Sequence, residues 1–421
     1  MRPKIVTTIG LIILWSISVI AVGLVESLWL ARPAVPPGDL VAIESYLFQK
    51  LSHATDRTVG SAALILVQSG EIAITHRFGI ADVETKAPVK LDQTLYQLAS
   101  VSKLVTAWGV MKLVEDGKLA LDEPVSRHLT RWQFPESEHR DKVTTRHLLS
   151  HTAGLDDLFG YSGFLPGEEI QTLEESLTLT RDVASGKPRG VEVTREPGKN
   201  WLYSGGGYTV LQLLIEEVTH QSFADYMTKS ILQPLGMEKA NFDWQAIADE
   251  GRAGDLATSF DTKLKPTSQR HYTATAAASL YATPQDMTQL VQAYTRQNPV
   301  LSQETLTQMM TPQAGARQDW GLGHTLYVAN GADGYVVGHD GGNLPALGHT
   351  VRINPATGNG VVLMTSGNLT LASELGDDWV YWETGKLTVN ARLRILISRL
   401  VPVVVGIGLG SIAIVLWTLI K

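Results

Sequence analysis

The chain has 421 residues, 44% of them apolar and 18% charged, with a formal net charge of −7. That length can hold one large domain or two modest ones with a real core, and the acidic balance without any basic run gives no support to nucleic-acid binding. There is no cysteine, which excludes thiolate catalysis, Cys-ligated zinc and disulfides while leaving the redox compartment undecided.

The first element is Ile5 to Val25, a run of 21 residues without a charge, preceded by Arg2 and Lys4. It exceeds a signal-peptide core, and no small-x-small cleavage site follows before Arg32, so residues 1–25 read as an uncleaved transmembrane anchor, a cleaved signal peptide being the alternative. Residues 26–38 form a linker that ends in the stiff, Pro-rich Arg32-Pro-Ala-Val-Pro-Pro-Gly38. Leu40, Ile43, Leu47 and Leu51 predict an amphipathic helix over 39–52. Ala62–Val67 and Ile72–Arg77 flank Gln68-Ser-Gly-Glu71 as a β-hairpin.

Next comes Ser100-Val-Ser-Lys103, followed by Leu104, Val105, Trp108, Met111 and Leu113 at helical spacing and by a stop at Asp116-Gly117. Positions i and i+3 share one helix face, which brings Lys103 Nζ within reach of Ser100 Oγ. A hydroxyl is a poor nucleophile until a base takes its proton, and a buried amine can do that or assist. This is the single Ser-x-x-Lys in the chain, but 26 serines and 16 lysines produce roughly one such pair by chance. An ordinary helix start with a surface lysine has the same spacing.

A Leu-, Glu- and Thr-rich middle, about 120 to 310, reads as mostly helical with loops. Strands return at Thr325–Val328, Tyr335–Val337, His349–Ile353 and Val361–Thr365, the last two joined by a turn over 354–360. Strands at both ends with helices between predict an α+β fold, in which one antiparallel sheet is formed by the two ends of the domain (residues 39–390), flanked by helices and interrupted by a mostly helical insertion. Leu400 to Ile420 is a second charge-free run of 21 residues, and its Pro402 and Gly406-x-Gly408-x-Gly410 are tolerated in a membrane helix. It reads as a second span, giving one transmembrane helix at each end. Arg2 and Lys4 predict a cytoplasmic N-terminus and place residues 26–399 on the extracytoplasmic side of the cell membrane. Arg392, Arg394 and Arg399 run against the positive-inside trend, which a long domain weakens.

Three further landmarks join Ser100 and Lys103: Thr144-Thr-Arg-His147-Leu-Leu-Ser-His151-Thr-Ala-Gly154, then Tyr203-Ser-Gly-Gly-Gly207-Tyr208, then Gly338-His339-Asp-Gly-Gly342 before a strand. In this order the set resembles the serine β-lactamase and penicillin-binding-protein superfamily, in its branch of class C β-lactamases, DD-peptidases and related esterases, over roughly residues 40–370. The resemblance implies that Ser100 is the acyl-accepting nucleophile, Lys103 its proton partner, and Tyr203 a sharer of the general-base work. A phenol of ordinary pKa near 10 is a poor base, so Lys103 must stabilise its phenolate or pass the proton along. It further implies that His339 lies near the substrate carboxylate or the Tyr203 oxygen, that the backbone N–H groups of Ser100 and Gly342 form the oxyanion hole, and that Gly205 and Gly341 lie at the substrate. Gly205 departs from the family's Tyr-x-Asn element, whose asparagine binds the acylamide side chain of β-lactams. Its absence leans towards an esterase or a peptidase of unusual preference.

His147 and His151, four apart, could be metal ligands, but no Glu follows the first and no third ligand is in sight, so a capping and packing role fits them better. There is no Gly-x-Ser-x-Gly elbow, P-loop or dinucleotide fingerprint, and no cofactor is implied. The expected function is a membrane-anchored serine hydrolase acting through a Ser100 acyl-enzyme on an ester, an amide or a D-amino-acid peptide, its substrate a small molecule or of peptidoglycan type. A β-lactamase, or a penicillin-binding sensor with little turnover, is the alternative.

Overall fold

The computed structural model describes residues 2–29, 35, 38–55, 57–156, 161–183, 186–296, 298–317 and 319–420; most of the Pro-rich linker lies outside the described residues. From the N-terminus the chain forms helices α1 (Arg2–Trp29) and α2 (Leu40–Ala54), strands β1 (Ser61–Gln68) and β2 (Glu71–Gly79), and helix α3 (Val101–Glu115). Helices α4 (Thr145–Leu149), α5 (Gly205–Thr219) and α6 (Pro284–Ala293) follow among shorter pieces. Strands β3 (Thr325–Ala329), β4 (Tyr335–Asn343), β5 (Leu347–Asn354) and β6 (Asn359–Ser366) then lead to helices α7 (Leu371–Thr384) and α8 (Val389–Ile420).

The hairpin expected at Gln68–Glu71 forms because Ser69 (φ 51°) and Gly70 (φ 79°) both adopt positive φ, the two-residue turn that matches strand twist. Strand order is β2-β1-β6-β5-β4-β3, antiparallel throughout, with β1 and β6 in register from Ser61↔Ser366 to Val67↔Gly360. The two ends of the domain therefore close one sheet, as the strand spacing predicts. Period-two alternation splits β1 between the faces: Ile65 and Val67 face α6 and the core cluster that includes α3, whereas Ala62, Leu64 and Leu66 join Ile43, Leu47 and Leu51 of α2 and Trp379 of α7. Each such aliphatic side chain contributes roughly 1.5–3 kcal/mol on burial.

Helix α3 is buried on every side from Val101 to Met111, its apolar residues packing in the core and its Ser102, Lys103 and Thr106 hydrogen-bonded to backbone carbonyls. It stops where Asp116-Gly117 places it, with Gly117 at φ 69°. The middle of the chain is less helical than its composition suggests. Thr144, Thr172, Ser204, Ser222 and Ser302 each cap a new helix with a side-chain hydrogen bond, and four of those helices are only five to seven residues long apiece before the chain turns again.

Helices α1 and α8 pack on one another, with Trp15 Nε1 donating to the Gly406 carbonyl at 2.9 Å. A Cβ at Gly410 would lie 1.9 Å from the Trp15 indole nitrogen, so glycine is what admits the ring. Among the described residues one helical stretch, Val389–Thr418, is long and apolar enough to cross a membrane, and the apolar stretch described in α1, Thr8–Ala21, is shorter.

Candidate active site

Ser100 occupies the N-cap of α3, directly after Ala99, whose φ of 46° is a left-handed conformation uncommon for a residue with a Cβ. The turn is held by buried Ser102, whose hydroxyl donates to the Ala99 carbonyl at 2.6 Å and accepts the Leu280 N–H at 2.9 Å. One turn on, Lys103 is 2% exposed and its Nζ lies 3.3 Å from Ser100 Oγ and 2.9 Å from the Ala277 carbonyl, which aims the amine at the hydroxyl. Tyr203, just before α5, reaches Ser100 through a hydrogen bond between the two hydroxyls, and its ring centre is 5.0 Å from Lys103 Nζ. Burial pushes the Tyr203 phenol above its ordinary range, with the Asp340 charge adding to the effect. The phenol is therefore not a ready phenolate.

His339 projects from β4 into the same cleft. Its Nδ1 is 2.6 Å from the Asp340 carbonyl, an acceptor only, so Nδ1 carries the proton and Nε2 is left as a buried acceptor without a partner. Burial, and then the Lys103 charge, hold this imidazole down at about 4, so it is neutral at physiological pH. A neutral acceptor does not bind a carboxylate. Of the two partners expected for His339, a substrate carboxylate or the Tyr203 oxygen, this lone pair suits a donor such as the Tyr203 hydroxyl.

The Thr144–Gly154 stretch supports the cleft. His147 completes a capping box with Thr144 at the start of α4, and His151 Nδ1 accepts the Ser204 N–H at 3.1 Å. The His151 ring stacks 4.5 Å from Tyr203 and 4.9 Å from Trp320, and burial drives its pKa well below normal. Both histidines are occupied as cap and packing. Among the described residues no group of three or more His, Asp or Glu could hold a metal ion.

Ser100, Tyr203, His339 and Gly342 line an open cleft of about 320 Å³, together with Trp201, Trp320 and the start of α8. Gly205 and Gly341 do not line it. Gly205 is buried at the first position of α5 and faces a small separate hollow beside Tyr161 and Val191. Gly341 lies beneath the cleft, where an added Cβ would come 2.2 Å from the Leu98 carbonyl; a glycine there lets β4 press on the start of α3.

Several neighbours of the site carry no motif. The Ala277 carbonyl acts through the main chain, so nothing in the sequence marks it. Trp320 and Thr388–Asn390 belong to no recognisable element. Arg352 had a signal: it is a lone charge inside the alternating strand His349-Thr-Val-Arg-Ile353. It is fully buried, bridges Asp340 at 2.7 Å and stacks 3.6 Å over the Tyr327 ring. Burial works against the Asp340 carboxylate, yet Arg352 and the Thr350 hydroxyl hold it below the usual range.

This is a β-lactamase-type fold with a Ser-x-x-Lys helix start facing a tyrosine, the architecture of a class of serine hydrolases. The Beta-lactamase family matches residues 47–386, most of the chain, and the chain belongs to that family. It is 32% identical over 180 residues to Penicillin-binding protein 4* of Bacillus subtilis (strain 168), covering 42% of this chain and 37% of that protein. It is 28% identical over 187 residues to Protein flp of Staphylococcus aureus (strain COL), covering 44% and 35% respectively. The match thus spans little more than a third of the length of these curated relatives. Among solved structures, the octameric penicillin-binding protein homologue from Pyrococcus abyssi aligns with a TM-score of 0.66 at 25% identity, over 83% of this chain and 79% of its own. The D-amino acid amidase from Ochrobactrum anthropi SV3 shares the fold, with a TM-score of 0.61 at 21% identity over 85% and 98%.

Proposed function

We propose that this protein is a membrane-anchored hydrolase that forms an acyl-enzyme on Ser100 and prefers neutral acyl esters to carboxylate-bearing peptides and β-lactams. The observation that carries the reading is the convergence of Ser100 Oγ, Lys103 Nζ and Tyr203 at the start of a buried helix, beneath a cleft whose nearby histidine is a neutral acceptor. Ser100 Oγ attacks the carbonyl carbon as its proton passes to the Lys103–Tyr203 pair, with Tyr203 relaying rather than waiting as a phenolate. The N–H groups of Ser100 and Gly342 receive the developing oxyanion. Collapse expels the alkoxide, which takes the proton and leaves as alcohol. Water then attacks the acyl-Ser100 ester, giving the carboxylic acid and restoring the serine.

The close packing of α1 on α8 through Trp15, Gly406 and Gly410 supports two spans entering one bilayer, since a small-x-x-x-small spacing lets membrane helices approach. Residues 39–390 then lie outside the cell membrane as the catalytic domain, with residues 1–25 and 400–420 in the bilayer.

Ser100→Ala is the test. It should abolish fluorophosphonate labelling and p-nitrophenyl acetate hydrolysis while leaving the unfolding midpoint nearly unchanged, because it trims one hydroxyl and leaves the packing of α3 intact. Retention of near wild-type turnover in Ser100→Ala would refute the acyl-enzyme.

A further inference from the structure

Part of the cleft wall is the foot of helix α8 itself. Thr388, Val389 and Asn390 line the cleft, and from Val389 helix α8 runs without a break to Ile420. Its foot is fixed to the catalytic domain. The Thr388 hydroxyl caps the Ala391 N–H at 3.0 Å, Ala391 is buried, and Arg394 Nη1 is 2.7 Å from Asp377 of α7. From Asn390 to Leu400, where the charge-free run begins, a helix rises about 15 Å at 1.5 Å per residue. Headgroups occupy roughly 5–8 Å on each side of the hydrocarbon. With no flexible linker in between, the helix acts as a ruler and holds the cleft mouth within about 10 Å of the headgroup surface.

One face of that ruler is apolar, with exposed Arg392 at its flank. Val389, which faces the cleft, and Leu393, Leu396 and Ile397 below it are each 52% exposed. Exposed aliphatic side chains that continue from a membrane helix into a catalytic cleft are a path for an acyl chain.

We propose that the substrate is an acyl ester resident in the bilayer, which climbs along the foot of α8 so that its carbonyl meets Ser100 while its chain stays on the apolar path. This rests on the preceding reading, in which α8 spans a membrane and Ser100 is the nucleophile. The chemistry is unchanged: the ester and water yield a fatty acid and the alcohol.

The test uses the full chain reconstituted in phosphatidylethanolamine/phosphatidylglycerol vesicles. 4-Methylumbelliferyl oleate dissolved in the bilayer is the probe, and water-soluble p-nitrophenyl acetate is the control. A flexible insert of about 20 Gly/Ser residues between Arg399 and Leu400 adds roughly 25 Å of slack and frees the cleft from its fixed height. The insert should lower the oleate-to-acetate turnover ratio by about tenfold or more, because it dilutes the effective concentration of membrane-held ester at the cleft. An unchanged ratio overturns the proposal while leaving the Ser100 hydrolase reading intact; acetate turnover that is absent or survives Ser100→Ala in the uninserted protein overturns that reading itself. Should the insert impair folding, seen as lost acetate turnover, the uninserted protein decides the matter. Its oleate rate should follow the mole fraction of ester in the bilayer, and a rate that follows bulk ester concentration instead overturns the proposal.

Discussion

The two walls of the cleft are held by opposite physics. The Ser100–Lys103 wall is the end of a helix enclosed by apolar side chains, with Val101, Leu104, Val105 and Trp108 all fully buried. The His339–Asp340 wall is held by charge. Behind it Arg352 bridges Asp340 at 2.7 Å and reaches Asp377 at 3.7 Å, and Asp377 in turn pairs with Arg394 of α8. Burial pushes Asp377 up despite both arginines. Apolar packing fixes a wall tightly and tolerates small changes at modest cost. A buried ion chain fixes it only while every member is present. The Lys103 amine thus sits on the wall built from local pattern, and the other wall is tied to α8.

The largest expected effect lies on the first wall. In the proposed mechanism Lys103 and Tyr203 handle the same proton, so Lys103→Ala and Tyr203→Phe should each lower kcat/KM for p-nitrophenyl acetate by about a thousandfold, and the double variant should fall little further. Multiplying losses would show two separate steps and would remove the shared-proton role.

On the second wall Arg352→Met leaves buried Asp377 and partly exposed Asp340 without their common partner, and urea unfolding should show a loss of about 3 kcal/mol. Replacing the whole set, Arg352→Met with Asp340→Asn and Asp377→Asn, should recover much of it. A loss below about 1 kcal/mol for the single variant would mean that this wall does not depend on its charges.

A smaller effect tests how the first wall is braced from behind. Trp108 Nε1 donates to the Tyr294 hydroxyl at 2.8 Å, which donates to His324 Nε2 at 2.5 Å, while His324 Nδ1–H donates to the Leu322 carbonyl at 2.7 Å. Burial holds His324 down at about 4, so the folded protein binds fewer protons than the unfolded chain between that value and the ordinary 6.5. The stabilisation is complete above pH 6.5 and is lost as pH falls towards 4. His324→Gln removes the titration. The difference in thermal midpoint between wild type and His324→Gln should therefore shift against wild type from pH 7 to pH 4.5. A difference that does not change with pH would show that acid does not break the Trp108–Tyr294–His324 chain.

What was legible in the sequence follows the same division. Alternation and helical spacing located the hairpin, α3 and the late strands, because those elements are specified by their own residues. Ser100 and Lys103 were legible as a helix-spaced pair, and Tyr203 only through the family resemblance. The second wall depends on partners far apart in the chain: Arg352 meets Asp340 across a strand pair and Asp377 from α7, and neither spacing is a pattern. Thr388–Asn390 reached the cleft only through the packing of α8 against α7. Gly341 was assigned to substrate, whereas the structure uses its missing side chain for the approach of β4 to α3.

The smallest effect concerns the hollow beside Gly205. The residue begins α5 in helical conformation, so asparagine there meets no left-handed penalty. Because Gly205 lies off the cleft wall, Gly205→Asn brings at most one weak hydrogen bond to a bound acylamide, worth about 0.5 kcal/mol. The ratio of penicillin to p-nitrophenyl acetate turnover should rise by about threefold or less. A rise well beyond tenfold would show that the amide subsite is otherwise intact and that this one glycine, rather than the neutral His339, sets the preference for esters. Efficient penicillin turnover by the wild type would remove that preference altogether and leave Gly205 as a helix-start residue only.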